Sequence, residues 1–162
     1  MSLFENDRYQ WRETYFVFFD RARRPSWPQI QQALQKINAH FEVSAPRLDS
    51  EGGFESVTLM APEAYSALDI SYLEGEEVLE QGEQVYDEMK DLVADASERA
   101  KLKRLREYDA HYEIFHFEEM VPDDEMDEPE GMLDPGALLL VLGALAELTG
   151  GVAVDPQSNT LV

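Results

Sequence analysis

The stretch TYFVFF, residues 14–19, decides the fold of this chain. After Thr14 it consists of aromatic residues and one valine, with no polar side chain, glycine or proline. Aromatic and β-branched residues favour strands, and successive side chains of a strand point to opposite faces of the sheet. This unbroken apolar run therefore predicts a central strand that is covered by protein on both faces.

Helical and strand patterns alternate on the C-terminal side of this strand. Ser26 and Gln29 form a capping box, which predicts a helix over about residues 27–38. Periodicity predicts further strands at 41–45, 54–60, 67–72, 111–119 and 152–154, and further helices from 76 onwards in two segments and at 135–148. The order β-α-β-β-β-α-β-α predicts an α+β fold with a mixed or antiparallel sheet packed against helices. It is related to the ferredoxin-like β-α-β-β-α-β motif, with an extra strand and a C-terminal extension.

The composition predicts one globular domain over residues 1–162, because 44% of the residues are hydrophobic and 10% are aromatic. An acidic, proline-bracketed segment at about 121–133 predicts an exposed linker within it. The chain has no cysteine, which excludes disulfides and thiol nucleophiles. The N-terminal segment has no apolar run of signal-peptide length, and residues 137–146 cover about half of a membrane span. We therefore expect a cytoplasmic protein that does not bind membranes.

The net charge of −21 narrows the class of partner. Residues 1–40 carry six basic and four acidic side chains, so almost all of the negative charge lies beyond residue 40. A field of this sign repels phosphate backbones, and we expect no ordinary nucleic-acid partner. It favours basic proteins or cations, although solubility alone also explains it.

The long helix from residue 76 carries a regular set of carboxylates. Their spacing of four, three, four and four places them on one helical face; they are Glu76, Glu80, Glu83, Asp87 and Asp91. We interpret this set as a docking surface for a basic protein partner. The alternatives are a solvated face, a carboxylate metal site and a nucleic-acid mimic, which needs the same acids spaced like phosphates.

Arg21, Arg23 and Arg24 are the candidate anion-binding residues. They follow the central strand and precede a helix N-terminus, whose free amides also favour negative charge. The alternative is that these arginines pair with the protein's own acids. A small-molecule or enzyme-like site would combine the arginines with His116.

The histidines and serines indicate no catalytic site. His116 shares a strand face with Tyr112 and Ile114, which predicts a hydrogen-bonded core histidine, whereas His40 and His111 are expected at the surface. No motif marks a serine as a nucleophile, and no cofactor is predicted. No metal site is predicted either, since the strand places Glu113 and His116 on opposite faces.

The C-terminal sequence is predicted to form the last part of the fold. The helix at 135–148 is apolar nearly all round, which is typical of a buried helix or of one shared in a homodimer. Gly150 ends it as a cap. A short edge strand at 152–154 and a turn follow, and residues 160–162 return to cover apolar surface.

Four segments carry a resemblance over nearly the whole chain: RYQWRETYFVFFD (8–20), GFESVTLM (53–60), ALDISYLEGEEVLEQG (67–82) and ALLLVLGALAELTGGVAVDPQSNTLV (137–162). Together they resemble a family of small acidic bacterial proteins, of the planctomycete type, with no assigned function. The resemblance implies a single intact domain in the bacterial cytoplasm and assigns no functional residue. The sequence therefore favours a non-enzymatic interaction or regulatory domain that uses its acidic helix face. The alternative is an anion-binding or enzyme-like domain that uses the arginine cluster.

Overall fold

The computed structural model describes residues 7–37, 41–44, 46–61, 66–120 and 136–162. These residues form an α+β fold with an antiparallel sheet and four α-helices, as the sequence predicts. The strands are β1 (Tyr9–Phe19), β2 (Glu42–Val43), β3 (Arg47–Leu48), β4 (Phe54–Ala61), β5 (Ser66–Glu74), β6 (Ala110–Glu119), β7 (Val152–Asp155) and β8 (Thr160–Leu161). The helices are α1 (Trp27–Ile37), α2 (Glu76–Met89), α3 (Ala96–Leu105) and α4 (Gly136–Thr149).

The strand order in the sheet is β2-β4-β5-β6-β1-β7-β8, and β3 also pairs with β4. All pairings are antiparallel. The ferredoxin-like order is not confirmed by this arrangement. β1 lies between β6 and β7, so the prediction of a central strand is confirmed.

The alternation of side chains along β1 divides the core between the two faces of the sheet. Val17 and Phe19 point to the face that carries α1 and α4, and Phe18 points to the face that carries α2 and α3. All three side chains are fully buried. The uninterrupted apolar run at 14–19 is thus explained by helices on both faces.

Local signals begin α1 and end α4 as the sequence predicts, and a further cap begins α3. The Ser26 backbone N–H donates to Gln29 Oε1 at 2.9 Å, and the Gln29 N–H donates back to Ser26 Oγ at 3.4 Å, which completes the capping box before α1. Asp95 caps α3 through the Ser97 N–H at 2.7 Å. After α4, Gly150 has a φ of +67°, the left-handed conformation that glycine adopts at low cost.

The C-terminal segment forms the last part of the sheet. β7 pairs with β1 on one side and with β8 on the other, so it is an inner strand and the predicted edge strand is β8 instead. The predicted linker at 121–133 and His40 lie outside the described residues.

Candidate functional site

The predicted acidic set lies mostly on the outer surface of α2. Glu76, Glu80, Glu83 and Asp87 are exposed on this helix. Its inner side buries Val78, Gly82 and Met89 against the sheet and α3. We call these four carboxylates the acidic face.

Asp91 is exposed but does not belong to the helix. α2 ends at Met89, because the chain turns there and the Leu92 and Val93 N–H groups both donate to the Met89 carbonyl. The predicted fifth member of the set therefore lies in the turn after α2. The prediction that the helix carries all five is wrong in this one position.

The acidic face is weakly neutralised by the protein's own cations. Arg106 Nη2 lies 3.8 Å from Glu83 Oε1, and Lys90 Nζ lies 3.6 Å from Asp87 Oδ1. In both pairs each side chain keeps about half of its surface or more exposed. Exposed pairs of this length contribute about 0.2–1 kcal/mol and are screened by salt. These two pairs therefore neutralise the acidic face only in part.

A cavity adjoins the acidic face where α2 crosses β5 and β6. Its volume is about 390 Å³, and it is lined by Leu73, Glu74, Glu77, Val78, Glu80, Gln81, Gln84 and Glu113. Four of these residues carry carboxylates and none carries a cation. Glu80 belongs both to the cavity and to the acidic face, so the two features form one continuous surface. Within the described residues, no three acidic or histidine side chains are placed to hold a metal ion.

Glu113 is the half-buried carboxylate of this cavity. It comes from the face of β6 that points towards α2, opposite Phe16 on β1. Burial raises the pKa of Glu113, because water solvates its charged form less well there. A positive group entering the cavity would reverse this effect by stabilising the carboxylate.

Two of the three arginines in the predicted cluster form ion pairs with acidic residues of the protein itself. Arg21 Nε lies 3.1 Å from Asp109 Oδ2, and Arg24 Nη1 lies 2.9 Å from Asp49 Oδ2. Arg24 also donates to the Phe54 carbonyl at 2.7 Å. The pKa of Asp49 is held below its usual value, first by the hydrogen bond from the Gly53 backbone N–H.

The three arginines do not converge on one anion site. The guanidinium of Arg24 stacks on the ring of Tyr72, 3.9 Å from its centroid, and that of Arg23 lies beside Gly150. The interpretation that these arginines pair with the protein's own acids is therefore confirmed for Arg21 and Arg24.

A buried polar network links three strands on the face covered by α1 and α4. Ser66 Oγ lies 2.9 Å from His116 Nε2, and His116 Nδ1 lies 3.3 Å from Glu13 Oε1. Tyr15 Oη donates to the same Glu13 oxygen at 3.0 Å. Since a carboxylate only accepts, Nδ1 carries the proton and Nε2 accepts from the Ser66 hydroxyl.

This order of serine, histidine and carboxylate matches the atoms of a serine-hydrolase triad. Sequence patterns do not indicate Ser66, because the residue is 50 positions from His116 and meets it only through strand register. In that register Ser66 pairs with Glu118, and Leu68 pairs with His116. The two side chains thus meet in a diagonal contact between neighbouring strands, which no local sequence motif indicates.

This network differs from an active site in being buried. His116 is fully buried, and Ser66 is 2% exposed. A nucleophile must contact its substrate, and Ser66 is closed to an acyl group in this conformation. Burial also lowers the pKa of His116, which favours the neutral imidazole. The prediction of a hydrogen-bonded core histidine is confirmed.

His111 is also buried, so the prediction that it lies at the surface is wrong. It is 1% exposed and packs between Phe16 and Phe18, with ring centroids 5.0 and 5.2 Å away. Its Nε2 lies 2.6 Å from Gln81 Oε1 of α2. The physical reason is that α2 covers this end of β6, a tertiary contact that the strand pattern does not contain.

Comparison of the chain with protein-family models, with curated proteins and with solved structures finds no match in any of the three. The resemblance to small acidic bacterial proteins therefore stays a prediction. Among the helices of the described residues, none is long and apolar enough to cross a membrane.

Proposed function

We propose that this protein is a non-enzymatic interaction domain that binds a basic protein through the acidic face of α2 and the cavity beside it. The observation that carries the proposal is the cavity, whose described lining includes four carboxylates and no lysine or arginine. An exposed acidic helix alone is common among soluble proteins. A concave acidic site continuous with such a helix also offers a defined place for a partner's side chain.

The chemistry favours a lysine or arginine side chain in the cavity. A volume of about 390 Å³ lies at the lower end of the range for small-ligand pockets, which is enough for one long side chain. Its positive end would meet Glu80 and Glu113, while its methylene groups would contact Leu73 and Val78. The remaining carboxylates of the acidic face would attract the partner over longer distances.

The anion-binding alternative has weaker support, because Arg21 and Arg24 already pair with Asp109 and Asp49. A cytoplasmic location and the absence of a nucleic-acid partner belong to the same proposal. The absence of cysteine supports the first, and the net charge of −21 supports the second.

The test compares two variants with equal charge. The first carries Glu80→Gln, Glu83→Gln and Asp87→Asn on the acidic face. The control carries Glu42→Gln, Glu51→Gln and Glu55→Gln, three exposed positions on or between β2, β3 and β4. Both variants lose three negative charges, so non-specific electrostatic binding weakens equally in both.

Proteins captured from native lysate by each variant and by the wild-type chain are identified by mass spectrometry. We expect a basic protein that the wild-type chain and the control retain and that the acidic-face variant loses. Binding of that protein should also weaken as ionic strength rises. Equal loss by both variants would mean that net charge alone governs binding, and the proposal would be wrong.

A further inference from the structure

The helices of the protein differ sharply in charge, and on one face of the sheet the acidic α2 lies beside α3, which carries four basic residues and one acidic residue. α2 carries six acidic residues among its 14, whereas α1 carries no acidic residue and a single basic one, Lys36. α4 carries one charged residue, Glu147. In a chain with a net charge of −21, the outer surface of α1 and α4 is thus nearly neutral as far as the described residues form it. We call this outer surface the neutral face.

The neutral face is also apolar where α4 meets solvent. Leu139 is 47% exposed and Leu140 is 56% exposed. One turn further along, Gly143 is exposed, and a Cβ built on it meets no atom within 4 Å. Two adjacent exposed leucines beside a glycine leave the helix open to close packing by another surface.

A groove between α1 and α4 lies on the same face. Its volume is about 420 Å³, and its lining includes Ala33, Ala144 and Leu148 together with the charged side chains of Lys36 and Glu147. Residues 140, 144 and 148 follow one another at helical spacing, so the exposed Leu140 lies directly beside the groove. Neither Lys36 nor Glu147 forms an ion pair with another residue in the described part of the chain.

We propose that the neutral face is a two-fold symmetric interface between two copies of this chain. In a two-fold interface, a contact of residue i with residue j is repeated as a contact of j with i. A groove that holds one lysine and one glutamate, both unpaired, is self-complementary under this symmetry. Lys36 then meets the partner subunit's Glu147, and Glu147 meets the partner subunit's Lys36.

Charge favours a second copy as the occupant of this face. Two chains of net charge −21 repel each other wherever their acidic surfaces meet, and the neutral face allows contact without bringing those surfaces together. A basic protein, by contrast, is attracted to the acidic face on the opposite side of the sheet. The dimer therefore leaves the acidic face of each copy free, and it does not depend on the function proposed above.

The experiment is sedimentation velocity over a series of protein concentrations. We expect the wild-type chain to form a dimer and Leu139→Glu/Leu140→Glu to sediment as a monomer with an unchanged circular dichroism spectrum. The matched control is Leu92→Glu, which changes a leucine that is 65% exposed after the end of α2 and should leave the dimer intact. A wild-type monomer at every concentration, or a dimer that survives the double change on α4, would overturn the proposal.

A charge exchange tests the symmetry itself. Lys36→Glu or Glu147→Lys alone should weaken dimerisation about fivefold, because each change places like charges opposite each other twice per dimer. The double variant Lys36→Glu/Glu147→Lys should restore the wild-type dissociation constant. Additive weakening in the double variant, or growth into open oligomers, contradicts a two-fold interface that pairs these residues.

Discussion

At the scale of single residues, the burial of His111 constrains its protonation state. Its Nε2–H donates to Gln81 Oε1, and its Nδ1 is buried without a hydrogen-bond partner. The neutral imidazole is favoured, because burial penalises the charged form more than a hydrogen bond to the backbone of His111 stabilises it. Burial accordingly lowers the pKa of His111 to about 4, from about 6.5 in the unfolded chain.

This pKa difference predicts how the stability depends on pH. Between pH 6.5 and pH 4 the unfolded chain binds a proton at His111 that the folded chain does not bind, so the stability falls as the pH falls through this range. The contribution reaches about 3 kcal/mol when the whole range has been crossed. We expect His111→Asn to lose stability at pH 7 but to show a shallower decline down to pH 4.

Urea unfolding at several pH values measures both curves. The difference in slope should vanish above pH 7, where histidine is neutral in both states, and that range serves as the internal control. Parallel curves for the two proteins between pH 6.5 and pH 4 would show that His111 titrates normally in the folded chain.

At the scale of elements, the sequence predicts most of the structure, because helices and strands have recognisable local sequence patterns. The capping box at Ser26 places the start of α1, and alternation places Ile114 and His116 on one face of β6. Contacts between elements have no such pattern in the sequence. The burial of His111 under α2 and the inner position of β7 depend on such contacts, and the predictions for both were wrong. The prediction that Asp91 belongs to α2 was also wrong, because a local turn at Met89 ends the helix before it.

Gly82 shows how closely α2 and α3 pack. A Cβ at this position would lie 2.4 Å from the backbone carbonyl oxygen of Leu105, which cannot move without displacing the end of α3. We therefore expect Gly82→Ala to destabilise the protein by about 1–3 kcal/mol, despite the better helix propensity of alanine.

Gly143→Ala provides the matched control, because the same substitution in α4 meets no atom within 4 Å. It should stabilise the protein by about 0.5–1 kcal/mol through helix propensity alone. Chemical denaturation at low protein concentration, where the monomer predominates, measures both variants. Equal effects of the two substitutions would contradict the close packing of α2 on α3.

At the scale of the whole molecule, the sheet separates the charged helices α2 and α3 from the nearly neutral helices α1 and α4. The sequence predicts the acidic set on α2, since helical spacing alone places those residues together. It does not predict the cavity, because Glu113 reaches it from β6 and Glu74 from β5. The buried link between Ser66 and His116 likewise joins two strands distant in sequence. Both sites arise from sheet register, which a single sequence does not reveal.

The C-terminal segment closes this sheet, which predicts a large effect of its removal. Val152, Ala153 and Val154 are 5% exposed or less, and β7 pairs with β1 beside Phe18. The Val162 N–H donates to the Ala153 carbonyl at 2.9 Å and holds the end of the chain on the sheet. Removing residues 151–162 would uncover Phe18 and leave one side of β1 without hydrogen bonds.

We expect this deletion to lower the free energy of unfolding by about 5 kcal/mol, from the loss of two buried valines and of strand pairing. For a chain of this length, that corresponds to a fall in Tm of about 10–20 °C. Thermal melting followed by circular dichroism measures the fall. Deleting residues 160–162 alone should cost much less, since β7 keeps its pairing with β1. An unchanged Tm in the longer deletion would mean that the central strand does not need β7 to stay folded.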